Sequence, residues 1–308
     1  MIVSMLTLIF VTISVNAQIT EGEDQLTAVK TDTVASWSKG GISSLNLAQT
    51  SLVNWAAGGQ NSVAVNGMLG LYANYLSPKS SWENSLDIGY GLLQQSGFDG
   101  LMKTDDRFDF TSKYGRKTFK DFYYAGLVNF RTQFAEGYNY PDTENKISDF
   151  FAPAYLLTAA GLNYIPNKYF NAFISPITGK FTFVYDEHLS SIGAFGVEKG
   201  QRSRQELGGY VRLGFIKDDF NDGFFKNISI GSKLDLFSNY LDNPQYIDVN
   251  WENLIGMKVN DYISISLNTN LIYDYDIKSI TMINGEAVEG KAKVQFKEIL
   301  GVGFMCKF

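Results

Sequence analysis

The sequence predicts an all-β chain: an antiparallel, transmembrane up-and-down β-barrel of about twelve strands. Three observations predict it. Long stretches alternate apolar and polar residues with period two. No uncharged apolar stretch long enough for a membrane-crossing helix follows residue 17. The chain closes on an alternating run whose last residue is the aromatic Phe308. Composition points the same way, because 23 Phe, 18 Tyr and 29 Gly against 6 Pro suit strands with aromatic belts better than helices.

The first segment, residues 1–17, is apolar from Ile2 to Val15 and ends Val15-Asn16-Ala17. It is shorter than the roughly 20 residues a membrane helix needs, and it carries small residues at the positions signal peptidase reads. It is expected to be a cleaved signal peptide, although its n-region has no Lys or Arg. Residues 18–36 hold Glu21, Glu23, Asp24, Lys30 and Asp32 without apolar rhythm and read as a periplasmic linker. Residues 37–308 form the expected barrel domain.

Strands are expected near 40–49, 61–76, 81–95, 105–116, 121–134, 153–165, 169–178, 204–217, 224–238, 245–259, 262–276 and 293–308. In each run one parity is greasy and the other polar, as the pleat of a strand demands. Trp82, Leu86, Ile88 and Tyr90 alternate with Glu83, Asp87 and Gly89. Ile263, Ile265, Leu267, Leu271 and Tyr273 alternate with Ser264, Ser266, Asn268 and Asn270. A soluble sandwich also alternates, but its strands average about 5–6 residues, whereas these runs reach 12–16. The stretch 169–186 contains Pro176 and Gly179 and reads as one bent strand or two, which leaves ten and fourteen strands open. Short connections such as Ser77–Ser80, Lys117–Lys120 and Asn260–Asp261 alternate with mostly longer ones, 96–104, 135–152, 179–203, 239–244 and 277–292. That is the short-periplasmic, long-external habit of barrels. Phe304 and Phe308 on the last run fit a barrel-closing C-terminal signal read by assembly machinery. Cys306 falls on the outward parity and is expected to be a plain apolar side chain.

The inward rows carry Glu83, Asp87, Arg107, Asp109, Lys113, Arg131, Glu206, Arg212, Lys233, Asp235, Asp248, Glu252 and Lys258, with Lys293 and Lys297 on the same parity. These are the candidate lumen-lining residues. Two arrangements fit them: a paired network that plugs the barrel, or the lining of a narrow wet channel. Trp55, Gly58 and Gly59 interrupt the alternation. They read as an inserted constriction or partner contact, or as an ordinary connection capped by an interfacial Trp.

A net charge of −6 without any Lys/Arg run argues against a nucleic-acid partner, and none is expected. The one histidine, His188, sits beside Asp186, Glu187 and Ser190, the minimum for an outer-membrane hydrolase. A lone loop histidine is more often plain surface, so no catalytic residue is assigned. With one His and one Cys a His/Cys-built zinc site is not expected, and Asp218, Asp219 and Asp222 read as a solvated turn rather than a calcium site. No metal or cofactor is expected.

The segments Leu45-Asn46-Leu47-Ala48-Gln49, Asn54-Trp55-Ala56-Ala57-Gly58-Gly59 and Trp82-Glu83-Asn84-Ser85-Leu86 resemble an exported family of Bacteroidota outer-membrane proteins known only as a domain of unknown function. Gln18 after the expected cut fits exported proteins of that phylum. The resemblance implies a place in the outer membrane and carries no activity. Three function classes follow: a narrow small-solute channel, a non-enzymatic structural or assembly component of an outer-membrane complex, and, last, a hydrolase. Expected partners are outer-membrane lipids, the barrel-assembly machinery and other outer-membrane proteins.

Overall fold

The structure, a computed structural model, describes residues 35–54, 56–220, 223, 225–260, 263–283 and 286–307. The expected signal peptide, nearly all of the linker, Trp55, Asp222 and Phe308 lie outside the described residues.

Twelve strands close into one ring. They are β1 (Ser36–Thr50), β2 (Ser62–Leu76), β3 (Ser80–Gln95), β4 (Met102–Lys117), β5 (Phe122–Thr132), β8 (Ala154–Tyr164), β9 (Phe170–Phe183), β10 (Ser203–Lys217), β11 (Ile228–Asn239), β12 (Ile247–Lys258), β13 (Ile263–Tyr273) and β16 (Gln295–Lys307). Every ring neighbour is antiparallel and consecutive around the wall, and β16 returns to β1. The fold is therefore the up-and-down barrel that the period-two pattern predicts.

Local chemistry sets the turns. Between β2 and β3, Ser77 donates its amide to Ser80 O at 2.8 Å while its hydroxyl accepts the Ser80 amide at 3.0 Å. Connections 77–79, 118–121, 165–169, 218–227 and 259–262 share one end of the barrel with the start of β1 and the end of β16. At the other end lie 51–61, 96–101, 133–153, 184–202, 240–246 and 274–294. The length rule is not strict, since 218–227 exceeds 240–246.

Three expectations change. First, β9 is one strand, and it runs to Phe183 rather than ending at 178. Pro176 lacks an N–H, so the strand bulges there: Ser175 pairs with Tyr210 and Thr178 with Gly208, leaving Pro176 and Ile177 opposite Gly209. Ser175 Oγ donates to Ala160 O at 2.9 Å and Ile177 O at 2.8 Å, and Thr178 Oγ1 donates to Ser175 Oγ at 2.8 Å. Across the bulge, Gly161 is required, because a Cβ there would run into the Ile174 carbonyl. Second, the segment 277–292 is a hairpin, β14 (Lys278–Ile283) with β15 (Glu286–Ala292), and 133–153 carries the short pair β6 (Gly137–Tyr138) and β7 (Lys146–Ser148). Third, 184–202 folds on itself. Helix α1 (Glu187–Ser191) is capped by Asp186, which accepts the Leu189 amide, and Val184, Leu189, Ala194 and Val197 bury one another against Ala152.

The outer wall is greasy. Leu45, Leu47, Val63, Val65, Ile174, Ile177, Leu207, Ile255, Leu300 and Val302 are exposed around the middle of the ring. Aromatic rings gather at both rims. Trp37 packs against Tyr75 and Trp82 with centroids 5.5 and 5.8 Å apart near the short turns, and Tyr246 stacks on Tyr275 at the long-loop end. The inner face holds its own apolar patch on β5, β8, β9, β10 and β11, built from Ala125, Leu127, Ala159, Phe173, Tyr210 and Phe237. Among the described residues no helix is long and apolar enough to cross a membrane, which says nothing of the strands.

Candidate functional site: a charge girdle across the lumen

Because strand period is two, every second side chain of β4, β5, β10, β11 and β12 points inward at a similar height. The structure brings eight of the thirteen predicted lumen residues into one layer: Arg107, Arg131, Arg212 and Lys233 against Asp87, Asp109, Asp235 and Glu252. The signs balance four to four, so the layer can neutralise itself without solvent ions.

Asp235 on β11 anchors it. Its carboxylate accepts from Arg212 Nε at 2.6 Å and Nη2 at 3.1 Å, from Arg131 Nη2 at 2.9 Å and from Tyr210 OH at 2.6 Å. Asp109 on β4 accepts Asn129 Nδ2 at 2.5 Å and pairs with Arg131 at 3.3 Å, and Lys233 stands 3.9 Å away. Glu252 on β12 takes Lys233 at 3.1 Å and Arg107 of β4 at 3.5 Å.

The last contact fixes the shape of the lumen. In the ring, β4 and β12 are six strands apart in either direction, so Arg107 and Glu252 face each other across the full width. A circular wall of this strand number, at roughly 4.8 Å spacing and about 40° tilt, would be about 24 Å across. An extended arginine and glutamate in contact span only about 15 Å between their Cα atoms. The section is therefore compressed along that axis, and side chains close it.

Two further clusters flank the girdle. Toward the long loops, Lys180 contacts Asp248 at 2.7 Å, Asp274 at 3.0 Å and Glu206 at 3.5 Å, while Arg204 contacts Asp276 at 2.6 Å and Glu206 at 3.4 Å. Among the described residues of this cluster two cations face four carboxylates. At the rim, Lys297 reaches Asp105 at 2.8 Å and Lys103 reaches Asp106 at 2.9 Å. Toward the short turns, Glu83 and Lys113 pair directly across β3 and β4 at 2.9 Å. They line a cavity of about 120 Å³ together with Asp87, Arg107, Lys233, Glu252 and the apolar Leu127, Ile216 and Leu254. That volume holds roughly four waters at liquid density. Lys258 keeps the inward parity at the short-turn end of β12, below the girdle.

Sequence reasoning missed Lys180, Arg204 and Asp276, and it placed Asp274 on the polar parity of the 262–276 run without counting it in the lumen. The missed β9 extension hid Lys180, although Thr178, Lys180 and Thr182 alternate with Ile177, Gly179, Phe181 and Phe183 in plain view. The 51–61 connection sits at the rim, where Leu52 N–H donates to Asn61 Oδ1 at 2.5 Å. Gly58 and Gly59 are exposed there with positive φ of 82° and 120°. They serve a turn, and no girdle contact comes from them. Phe304 is exposed on the outer face, paired with Leu45 and Ile263.

His188 is exposed on α1, whereas the buried Ser190 hydroxyl donates to Gln201 O at 3.0 Å. The two do not form a nucleophile–base pair. Nearby, burial pushes the Asp186 carboxyl up, but bonds from the Leu189 amide and Lys146 more than offset it and leave it below the usual range. In the 218–227 turn, Asp219 accepts from Lys168 at 2.6 Å, Lys217 at 2.8 Å and Tyr169 at 2.6 Å, and these donors hold its carboxyl far below the usual range. Asp219 is a partner of lysines here, and among the described residues no acidic or His/Cys cluster suits a metal ion.

Comparison with known proteins places a family model described as "Protein of unknown function (DUF3078)" on residues 47–138, a stretch that runs from the end of β1 through β6. No curated protein matches. Among solved structures, the chain is similar to the outer membrane channel COG4313 from Pseudomonas putida F1, with 11% identity, a TM-score of 0.38, and coverage of 92% of this chain and 98% of that one. It is also similar to OmpT, an outer membrane protein of Vibrio cholerae, with 9% identity, a TM-score of 0.30, and coverage of 92% and 100%.

Proposed function

We propose that the chain spans the outer membrane of a Gram-negative cell and forms a narrow small-solute channel whose lumen is shut at rest by the charge girdle. The greasy outer wall supports the membrane placement, because a water-facing barrel would expose far more contiguous apolar surface than soluble monomers carry. The two aromatic rims flank that wall as interfacial girdles do. The short turns and both chain ends then face the periplasm. Partners in this reading are outer-membrane lipids and, during biogenesis, the assembly machinery that reads the last strand.

One observation carries the gating half: Arg107 and Glu252 meet across the whole width of the lumen. A second reading, a structural or assembly component that contacts other outer-membrane proteins, gains from the same contact, since a lumen filled with paired charge conducts nothing. Neither reading gives the chain a catalytic role. Planar-bilayer recording separates them. The wild-type barrel is expected to show small, infrequent openings, and the paired variant Arg107→Gln/Glu252→Gln a conductance several-fold larger. A steady, large wild-type conductance would overturn the shut resting state. Silence of both proteins, with co-purifying outer-membrane proteins, would hand the case to the structural reading.

A further inference from the structure

The cavity beneath the girdle has chemistry that the girdle leaves unused. Glu83 is 8% exposed, and its Oε2 holds Lys113 at 2.9 Å, yet its buried Oε1 has no hydrogen-bond partner. Leaving such an acceptor dry is costly, above all for a charged group, so something other than protein is expected to donate to it. Asp87, four residues along the same inward row, lines the same cavity beside Arg107 and Lys233. Lys113 has three N–H donors and uses one on Glu83. The lining also carries the apolar Leu127, directly beside Lys113, with Ile216 and Leu254.

We infer that this cavity is a binding site for a small α-amino-acid-like zwitterion with an aliphatic side chain. The ion pair Glu83–Lys113, closed between Oε2 and Nζ at 2.9 Å, leaves the Oε1 acceptor and the remaining Nζ donors side by side. An α-amino acid offers the complementary donor and acceptor, so it docks head to tail. Its ammonium donates to Glu83 Oε1 and reaches toward Asp87, its carboxylate accepts from Lys113 Nζ, and its side chain lies on Leu127, Ile216 and Leu254. A simple cation meets Lys113, Arg107 and Lys233 in the same lining and is opposed, and a simple anion meets Glu83, Asp87 and Glu252. A zwitterion satisfies both signs. This site deepens the channel reading by naming a solute class.

The test is calorimetric titration of the purified, refolded barrel with L-leucine, with isoamylamine (the ammonium alone) and with 4-methylpentanoate (the carboxylate alone). Saturable leucine binding is expected, at least tenfold tighter than either half-molecule. Glu83→Gln, which keeps the shape but removes the charge, is expected to weaken leucine at least tenfold, and Glu187→Gln on the distant α1 to leave it unchanged. Asp87→Asn serves as a second variant should Glu83→Gln fail the heat-modifiability check for a folded barrel, and is expected to weaken leucine several-fold. No leucine heat up to tens of millimolar, isoamylamine binding as well as leucine, or leucine binding indifferent to both variants would each overturn the site. The readout needs no current. Binding without conductance in any variant would therefore sink the channel and spare the site, and conductance without binding would do the reverse.

Discussion

Asp235 shows what one inward carboxylate does in this lumen. It accepts from Arg212, Arg131 and Tyr210, and itself is only 6% exposed. Removing its charge leaves the two guanidiniums with Asp109 as their main compensation, and breaking a buried pair on one side costs about 3–5 kcal/mol. Asp235→Asn is expected to lose stability of that order in denaturant unfolding from lipid vesicles, and Asp235→Asn/Arg212→Met to recover part of it. A loss below about 1 kcal/mol would mean that water reaches the pair. The inward direction of these residues was legible from parity alone, because a one-residue slip would turn every charge onto the outer wall. Their partners were not. Arg107 and Glu252 are 145 positions apart, and which charges meet depends on how many strands separate them and how far the wall is compressed.

At the level of elements, strand limits followed hydrophobic rhythm closely wherever the rhythm was unbroken, as in β2, β3 and β10. They failed where backbone chemistry intervened. Pro176 reads as a strand end, and only the Ser175 and Thr178 hydroxyls at the bulge let β9 continue. The folded 184–202 loop was illegible too, since its small core draws on Ala152 from another connection. The 218–227 turn gives an element-scale prediction. The Lys168, Lys217 and Tyr169 donors depress the Asp219 carboxyl, so their support of the turn is complete above the ordinary aspartate range, near pH 4, and is lost as pH falls through the depressed value. NMR of the Asp219 carboxyl carbon is expected to titrate well below that range. A midpoint near 4 would show the three contacts to be absent in solution. Asp219→Asn is expected to give, at neutral pH, the faster amide exchange in 218–227 that the wild type shows only in acid.

Across the whole molecule the wall is uneven. Among the described residues β1 pairs with β2 over fifteen positions but with β16 over five, from Ile42–Lys307 to Asn46–Gly303. Beyond Asn46 the two strands carry no ladder toward the long loops, so the closing seam is the weakest join of the ring. Hydrogen exchange is expected to be faster at 47–50 and 299–302 than in the β3–β4 pair, whose ladder runs nearly the whole of both strands. Equal protection would place the seam on a par with the rest of the wall.

By itself the sequence determined that the chain is a ring of about twelve alternating strands, the inward parity of each run it recognised, and which terminal strand closes it. These depend on near neighbours along the chain: period two, turn residues and run length. The structure decided among ten, twelve and fourteen. Only the tertiary structure decided that the lumen is bridged from wall to wall, that a 120 Å³ cavity with an unpartnered carboxylate oxygen lies beneath the bridge, and that the seam is short. Those depend on the registers accumulated around twelve strands and on the section of the closed wall, and no local pattern encodes either.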